Sequence, residues 1–149
     1  MRPIKRIIIH CTATRADRPF TPSALERSHR ERGFTQCGYH YYITTDGVTH
    51  DMRPIETPGA HAKGYNLASI GIAYEGGLDS QGRPADTRTQ AQRCALRSLL
   101  VRLRSQFPQA KIMGHRDLSP DLDKDGIIEP REYVKQCPCF HAIPEYADI

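Results

Sequence analysis

The chain has 149 residues, and its 21 Lys and Arg residues against 17 Asp and Glu residues give a formal net charge of +4. A domain of this length buries roughly 68–70% of the surface that its unfolded chain exposes, which is enough for one core without disulfide bonds. The hydrophobic fraction of 38% and the charged fraction of 26% exclude a disordered or fibrous protein, and no apolar run approaches the ~20 residues of a membrane-spanning helix.

The first half of the chain contains one helical and three strand-like segments. The helix is predicted over Ser23–Arg32, where Ser23 and Glu26 have the spacing of a capping box. The strands are rich in β-branched and aromatic residues, and an Asp-Gly turn joins the second and third into a hairpin. They are Ile4–His10, Tyr39–Thr44 and Val48–His50.

The second half of the chain adds two strands and two helices. The strands are Ser69–Glu75 and Lys111–His115. Apolar residues recur every four positions over Thr89–Phe107, which predicts a long amphipathic helix, and Pro130–Gln136 is predicted as a short helix with proline in its first turn. This order predicts an α/β fold over residues 1–149: a single domain with a central mixed β-sheet flanked by helices.

Two separate predicted strands, with the segments RIIIH and KIMGH, each deliver a histidine at their C-terminal end, His10 and His115. Parallel neighbouring strands would bring both side chains to the same edge of the sheet, where neutral imidazoles on rigid elements suit a zinc ion. The alternative is that each histidine is a hydrogen-bonded structural residue. The segment Lys135–Phe140 offers a third ligand in Cys137 or Cys139, because a nearby lysine lowers the pKa of a thiol. Such a set leaves a fourth zinc position for water, as in catalytic sites.

The N-terminal segment and the cysteines indicate where the protein works. The apolar run Ile7–Ile9 is too short for the core of a secretory signal peptide, so we expect synthesis in the cytoplasm and release by another route. The five cysteines form an odd set, which favours free thiols or metal ligands over a disulfide framework. We interpret Cys11, Cys37 and Cys94 as core or half-buried thiols. The positive charge is scattered, and no motif indicates a nucleic-acid-binding domain.

Five segments, in the same order along the chain, match motifs of a known family. They are IIIHCTAT, GYHYYITTDG, AHAKGYNLASIGIAYEGGLD, GHRDLSP and KQCPCF. With them the chain resembles the zinc-dependent N-acetylmuramoyl-L-alanine amidases, the superfamily of amidase-type phage lysozymes and peptidoglycan recognition proteins. The resemblance implies hydrolysis of the amide bond between N-acetylmuramic acid and L-alanine. It also implies that His10, His115 and Cys137 are the zinc ligands, with Cys137 preferred over Cys139.

The resemblance also implies roles for residues around the metal. Tyr39 and Lys135 match side chains that assist the attacking water in the lysozyme-like branch; without the resemblance, they would be read as a packed strand aromatic and a solvated lysine. Glu75 is a second candidate base, because other branches use a glutamate near that place. The expected substrate groove contains His61, with Lys63 and Asn66 as weaker candidates. We interpret the remaining histidines as surface or structural residues: His29, His40, His50 and His141.

A second reading of the same resemblance is a recognition module that binds peptidoglycan without cleaving it. Members that only recognise peptidoglycan typically lack the ligand cysteine, so the presence of Cys137 favours catalysis. In either case we expect bacterial peptidoglycan or muropeptides as the partner, no nucleic acid or membrane partner, and a monomer.

One insertion lies outside the phage-lysozyme pattern, at residues 121–132. It matches the twelve-residue loop of an EF-hand, whose positions 1, 3, 5 and 12 are carboxylates, position 6 glycine and position 7 a backbone carbonyl. These positions are taken by Asp121, Asp123, Asp125, Glu132, Gly126 and Ile127, with Glu129 at position 9. The match predicts a calcium site. The alternative is a solvated acidic loop, which the lack of a clear helix before Asp121 favours.

Overall fold

A five-stranded mixed sheet forms the centre of the protein, described from a computed structural model of residues 1–149. Seven strands occur in all, and the second and sixth form a separate two-stranded parallel sheet. In chain order they are β1 (Arg6–Cys11), β2 (Thr14–Arg15), β3 (Tyr41–Ile43), β4 (Thr49–Asp51), β5 (Ser69–Tyr74), β6 (Gly77–Leu78) and β7 (Lys111–Gly114). The prediction of a mixed α/β fold is confirmed, with strand ends displaced by at most two residues.

The order of strands in the main sheet is β4-β3-β5-β1-β7. β1 runs parallel to both of its neighbours, β5 and β7, whereas β3 and β4 form the predicted antiparallel hairpin. Ile7, Ile8 and Ile9 of β1 are all fully buried. Because both faces of this strand are covered, its sequence is a continuous apolar run and does not alternate with polar residues.

Three α-helices accompany the sheet: α1 (Pro22–Glu31), α2 (Gln90–Gln106) and α3 (Ala142–Glu145). Thr89 caps α2 through a capping box with Gln92, and Leu96, Leu99, Leu100 and Leu103 of α2 enter the main core. This burial explains the four-residue apolar repeat. None of the helices is long and apolar enough to cross a membrane.

Two helix predictions need correction. The N-cap of α1 is Thr21, whose side chain accepts the backbone N–H of Ala24, so Ser23 lies inside the first turn and forms no capping box. Pro22 occupies the first helical position, where its fixed φ suits the helix and no N–H is needed. The predicted helix Pro130–Gln136 is wrong: only a 3₁₀ turn, Pro130–Glu132, forms there.

The reason for this short turn lies in the hydrogen bonds around it. The Glu132 carboxylate accepts the backbone N–H of Glu129, and the next residue, Tyr133, is already extended at φ −63° and ψ 119°. The N–H of Val134 then donates to the Ser119 hydroxyl at 3.0 Å, where a continuing helix would have used a backbone carbonyl.

Candidate metal site and groove

Two parallel strands place one histidine each at the same end of the sheet. β1 and β7 are paired with Ile9 opposite Gly114, so that His10 and His115 follow directly after a matched pair. Their ring centroids lie 4.5 Å apart. His115 is the first residue of a 3₁₀ turn, which ends β7 one residue earlier than the sequence predicted.

Cys137 reaches this end of the sheet from a distant part of the chain. The N–H of Arg116 donates to the Cys137 carbonyl at 2.8 Å, and the N–H of Cys11 donates to Cys137 Sγ at 3.2 Å. Gly114 permits the approach, because a Cβ at that position would lie 2.6 Å from Cδ of Pro138. These contacts hold the Cys137 sulfur beside β1, at the end of the sheet where His10 and His115 lie.

The three side chains form a cluster that fits a zinc ion. One ligand atom from each of His10, His115 and Cys137 lies within 4.8 Å of the other two. Tetrahedral zinc, with bonds of ~2.0 Å to nitrogen and ~2.3 Å to sulfur, needs ligand atoms roughly 3.5 Å apart. Imidazole and thiolate are ligands that zinc favours. Cys139 is outside the cluster, since its Sγ lies 3.5 Å from the Gly77 carbonyl oxygen.

A third histidine, His61, contacts His10 of the cluster. His61 Nδ1 is 2.8 Å from His10 Nε2, and His61 Nε2 is 3.3 Å from the Ser69 hydroxyl, which donates to the Tyr65 carbonyl at 2.7 Å. Because the hydroxyl proton is used on Tyr65, Ser69 accepts from His61 Nε2–H, and His61 Nδ1 accepts from His10 Nε2–H. This chain of hydrogen bonds leaves Nδ1 of His10 as the nitrogen that is free to bind a metal.

The surroundings keep these imidazoles neutral, which is the form that binds a metal. Burial lowers the pKa of His10 well below its ordinary value, and the neighbouring His61, His115 and Lys135 lower it further. Burial also lowers the pKa of His61 to about 3 and, with Lys135, lowers the pKa of His115.

Sequence reasoning placed His61 in the groove but missed its contact with a candidate ligand. A signal for it is Gly71 in the middle of β5, because glycine in a strand often marks a close approach. A Cβ at Gly71 would lie 2.6 Å from Cγ of His61, so the glycine makes room for the imidazole ring.

Tyr39 and Lys135 both lie close to the cluster. The Tyr39 ring centroid is 5.0 Å from that of His10, and burial followed by the charges of Cys137 and Cys11 raises the pKa of its hydroxyl. The phenol is therefore protonated and available as a donor. Lys135 lines the same groove as His115 and forms no ion pair.

The groove has a volume of about 550 Å³ and contains all three predicted substrate residues, His61, Lys63 and Asn66. Its charged lining is basic, including Arg32, Lys63 and Lys135, and no acidic residue lines it. The Asn66 side chain accepts the backbone N–H groups of His61 and the following residue, each at 2.9 Å. Asn66 therefore holds the loop that carries His61.

The candidate base Glu75 lies away from the groove. Its carboxylate accepts the backbone N–H groups of Phe20 at 2.7 Å and Thr45 at 2.9 Å, and only 5% of the residue is exposed. Glu75 thus joins the chain before α1 to the β3–β4 hairpin. The structure therefore gives Glu75 a structural role outside the groove lining and does not favour it as a second candidate base.

The remaining histidines and cysteines divide between core and surface. His29 Nδ1 accepts the N–H of Gly38, and His40 Nδ1 accepts that of Gly71, which makes both of these buried residues structural. His50 is half-buried and His141 exposed. Cys11 and Cys37 are buried, as predicted, but Cys94 is exposed because it lies on the solvent face of α2.

Comparison with solved structures places this fold among those of amidases. The structure of N-acetylmuramoyl-L-alanine amidase LysC from Clostridium intestinale URNW superimposes with a TM-score of 0.73 at 26% identity, over 97% of this chain and 83% of that one. Drosophila PGRP-LB shares the fold, with a TM-score of 0.72 at 22% identity, over 99% of this chain and 81% of that one. The fold is therefore that of the amidases and peptidoglycan recognition proteins.

Sequence comparison gives the family. The family model described as N-acetylmuramoyl-L-alanine amidase matches residues 1–139. The endolysin of Klebsiella phage KP32 is 40% identical over 115 residues, which are 77% of this chain and 76% of that protein. The endolysin of Escherichia phage T7 is 37% identical over 114 residues, 76% of either chain. The chain belongs to the N-acetylmuramoyl-L-alanine amidase family, which confirms the resemblance seen in its motifs.

Proposed function

We propose that this protein is a zinc-dependent hydrolase that cleaves the amide bond between N-acetylmuramic acid and L-alanine in peptidoglycan. The observation that carries the proposal is the convergence of His10, His115 and Cys137, whose ligand atoms lie within 4.8 Å of one another, next to the groove that His115 lines. Relatives named as endolysins and as N-acetylmuramoyl-L-alanine amidases support the reaction and the wall polymer as substrate. We further propose that the protein acts on the cell wall or on wall fragments after release.

The side chains around the cluster suit attack of water on an amide. Zinc bound there would supply a Lewis acid and lower the pKa of a water to ~7. The Lys135 ammonium faces the groove, where it stabilises the negative charge that develops on the carbonyl oxygen. The Tyr39 phenol, kept protonated by burial, donates a hydrogen bond to the water or to that oxygen. His61 holds His10 in one tautomer and orientation.

The charge of the groove supports a peptidoglycan substrate. Arg32, Lys63 and Lys135 line it without any acidic residue, and none of these three cations forms an ion pair. The stem peptide of peptidoglycan carries free carboxylates, so its negative charge complements this lining.

The deciding experiment is mass spectrometry of purified cell walls after digestion. We expect free stem peptides that begin with L-alanine, about one zinc ion per chain, and loss of activity on zinc chelation. Cys137→Ala should abolish turnover and lower zinc content, whereas the matched variant Cys139→Ala should retain both. Cleavage within the stem peptide or in the glycan would refute the assigned bond, and the reverse behaviour of the two cysteine variants would refute the assigned ligand.

The same digestion separates catalysis from recognition alone. The structural neighbours include Drosophila PGRP-SA, so a binding module is the second candidate. Binding of the zinc-loaded protein to cell walls in a pull-down, without release of any peptide, would favour that function.

A further inference from the structure

The loop between the His115 turn and Cys137 has the arrangement of a cation site. Carboxylate oxygens of Asp121, Asp123 and Glu132 lie within 4.8 Å of one another, and so do those of Asp123, Asp125 and Glu129. The N–H of Gly126 donates to Asp121 Oδ2 at 2.8 Å, and Gly126 has a φ of +88°, a conformation that glycine adopts without strain. Positions 1, 3 and 12 of the EF-hand loop therefore meet in space, and position 5 joins positions 3 and 9 in a second group that shares Asp123.

A second and independent observation is an unpaired oxygen. Oδ1 of Asp121 is completely buried and has no hydrogen-bond partner, although Oδ2 of the same carboxylate is paired. A buried carboxylate oxygen without a partner is costly, so native proteins rarely leave one. A cation held by Asp121 together with Asp123 and Glu132 would satisfy it.

The negative charge of the loop is only partly balanced by the protein. Glu132 is 3% exposed, and hydrogen bonds from the backbone N–H groups of Glu129, Leu122 and Asp123 lower its pKa. These contacts keep it ionised without supplying a positive charge. Arg131 pairs with Asp123 and Glu129, but its side chain is 62% exposed and such pairs contribute little. Asp121 and Glu132 have no cationic partner.

We propose that residues 121–132 bind one calcium ion through an all-oxygen set. The ligands are the carboxylates of Asp121, Asp123, Asp125 and Glu132 and the backbone carbonyl of Ile127. A set of oxygen ligands suits calcium, whereas zinc prefers the nitrogen and sulfur ligands found elsewhere in this protein. Because no long helix precedes the loop, its ligands are less rigidly held than in an EF-hand sensor. We therefore expect a Kd of roughly 10⁻⁴–10⁻³ M, as in extracellular modules.

The ion would fix the segment that carries Lys135 and Cys137. The loop follows the 3₁₀ turn that begins at His115. It ends at Glu132, three residues before Lys135. Bound calcium would tie the two ends of this insertion together, in addition to the contact of Val134 with Ser119. This consequence rests on the proposed function, but calcium binding itself does not, so the two can fail separately.

The test measures calcium binding directly, on metal-stripped protein to which one equivalent of zinc has been restored. Calcium chloride at about 100 times Kd should raise the melting temperature by roughly 5–10 °C. Terbium chloride should show luminescence sensitised by Tyr133, which is adjacent to Glu132 in a chain without tryptophan, and calcium should displace it.

Three variants make this test specific. Glu132→Gln should lose the calcium-dependent rise, and Asp125→Asn should weaken it at least tenfold in Kd while keeping the basal melting temperature, because Asp125 is exposed. Asp51→Asn, at an exposed aspartate on β4, should respond like the wild type. A melting temperature unchanged by calcium chloride at about 100 times the expected Kd, ~10–100 mM, would overturn the proposal, as would an equal rise in Glu132→Gln or in sodium chloride of matched ionic strength.

Discussion

Removal of the His61 imidazole should weaken zinc binding, although His61 is not among the three candidate ligands. In His61→Ala, the Nε2–H of His10 loses an acceptor at 2.8 Å. His10 is 1% exposed, so its N–H is left without a partner inside the protein, which costs about 1–3 kcal/mol. Loss of an outer contact of this kind typically lowers metal affinity 10–100-fold, and tenfold corresponds to about 1.4 kcal/mol, so the two magnitudes agree.

Competition with a chromogenic chelator would measure the zinc affinity of each variant. We expect the full 10–100-fold loss for His61→Ala, and a smaller loss for Ser69→Ala, which removes the acceptor of His61 Nε2–H. His50→Ala, at a half-buried histidine on β4, is the matched control and should bind zinc normally. If His61→Ala binds zinc like the wild type and only raises KM, His61 is a substrate contact alone, and the hydrogen-bond chain derived above is refuted.

Two further predictions concern catalysis and acid stability. Tyr39→Phe and Lys135→Ala should retain zinc and lower kcat at least tenfold with little change in KM, because both groups act on the transition state. Steady-state kinetics on soluble muropeptides measures this effect. Wild-type rates in Tyr39→Phe would show that the Tyr39 side chain contributes only packing. Glu145→Gln should lower the melting temperature by roughly 2–4 °C at pH 7, because Arg88 holds the pKa of Glu145 below its ordinary value. That stability is present above the unfolded-state pKa of ~4.3 and is lost as pH falls through the folded-state pKa, so the difference should shrink near pH 3. Glu26→Gln, which removes an exposed helix pair, should change the melting temperature little at either pH.

The sequence predicted the fold where one local signal decides the structure. The isoleucine run of β1 and the apolar repeat of α2 both mark side chains that are buried in the core, and this burial stabilises the two elements. The helix predicted over Pro130–Gln136 failed because Glu132 hydrogen-bonds to Leu122, ten residues earlier in the chain. Such a contact belongs to the tertiary structure, and no propensity in the local sequence reports it.

The candidate site likewise has residues that the local sequence predicts and residues that only the tertiary structure brings into place. The two strand-terminal histidines were predictable from strand patterns, but the choice of Cys137 over Cys139 depended on resemblance to a family. The structure gives the physical reason for the choice: Pro138 packs against Gly114, which turns Cys137 towards His115 and leaves Cys139 beside Gly77. Spacing along the chain contains no information about that packing.

The position of β1 between β5 and β7 explains why the site forms at this place. The end of β7 leads directly to His115, and Gly114 at that end leaves the space for the segment of Cys137. β5 supplies Ser69 and, through Gly71, the space for the ring that contacts His10. Each neighbour of the central strand therefore gives one polar group and one glycine. A side chain added at either glycine would displace a residue next to the candidate metal, so these backbone positions belong to the site as much as its ligands do.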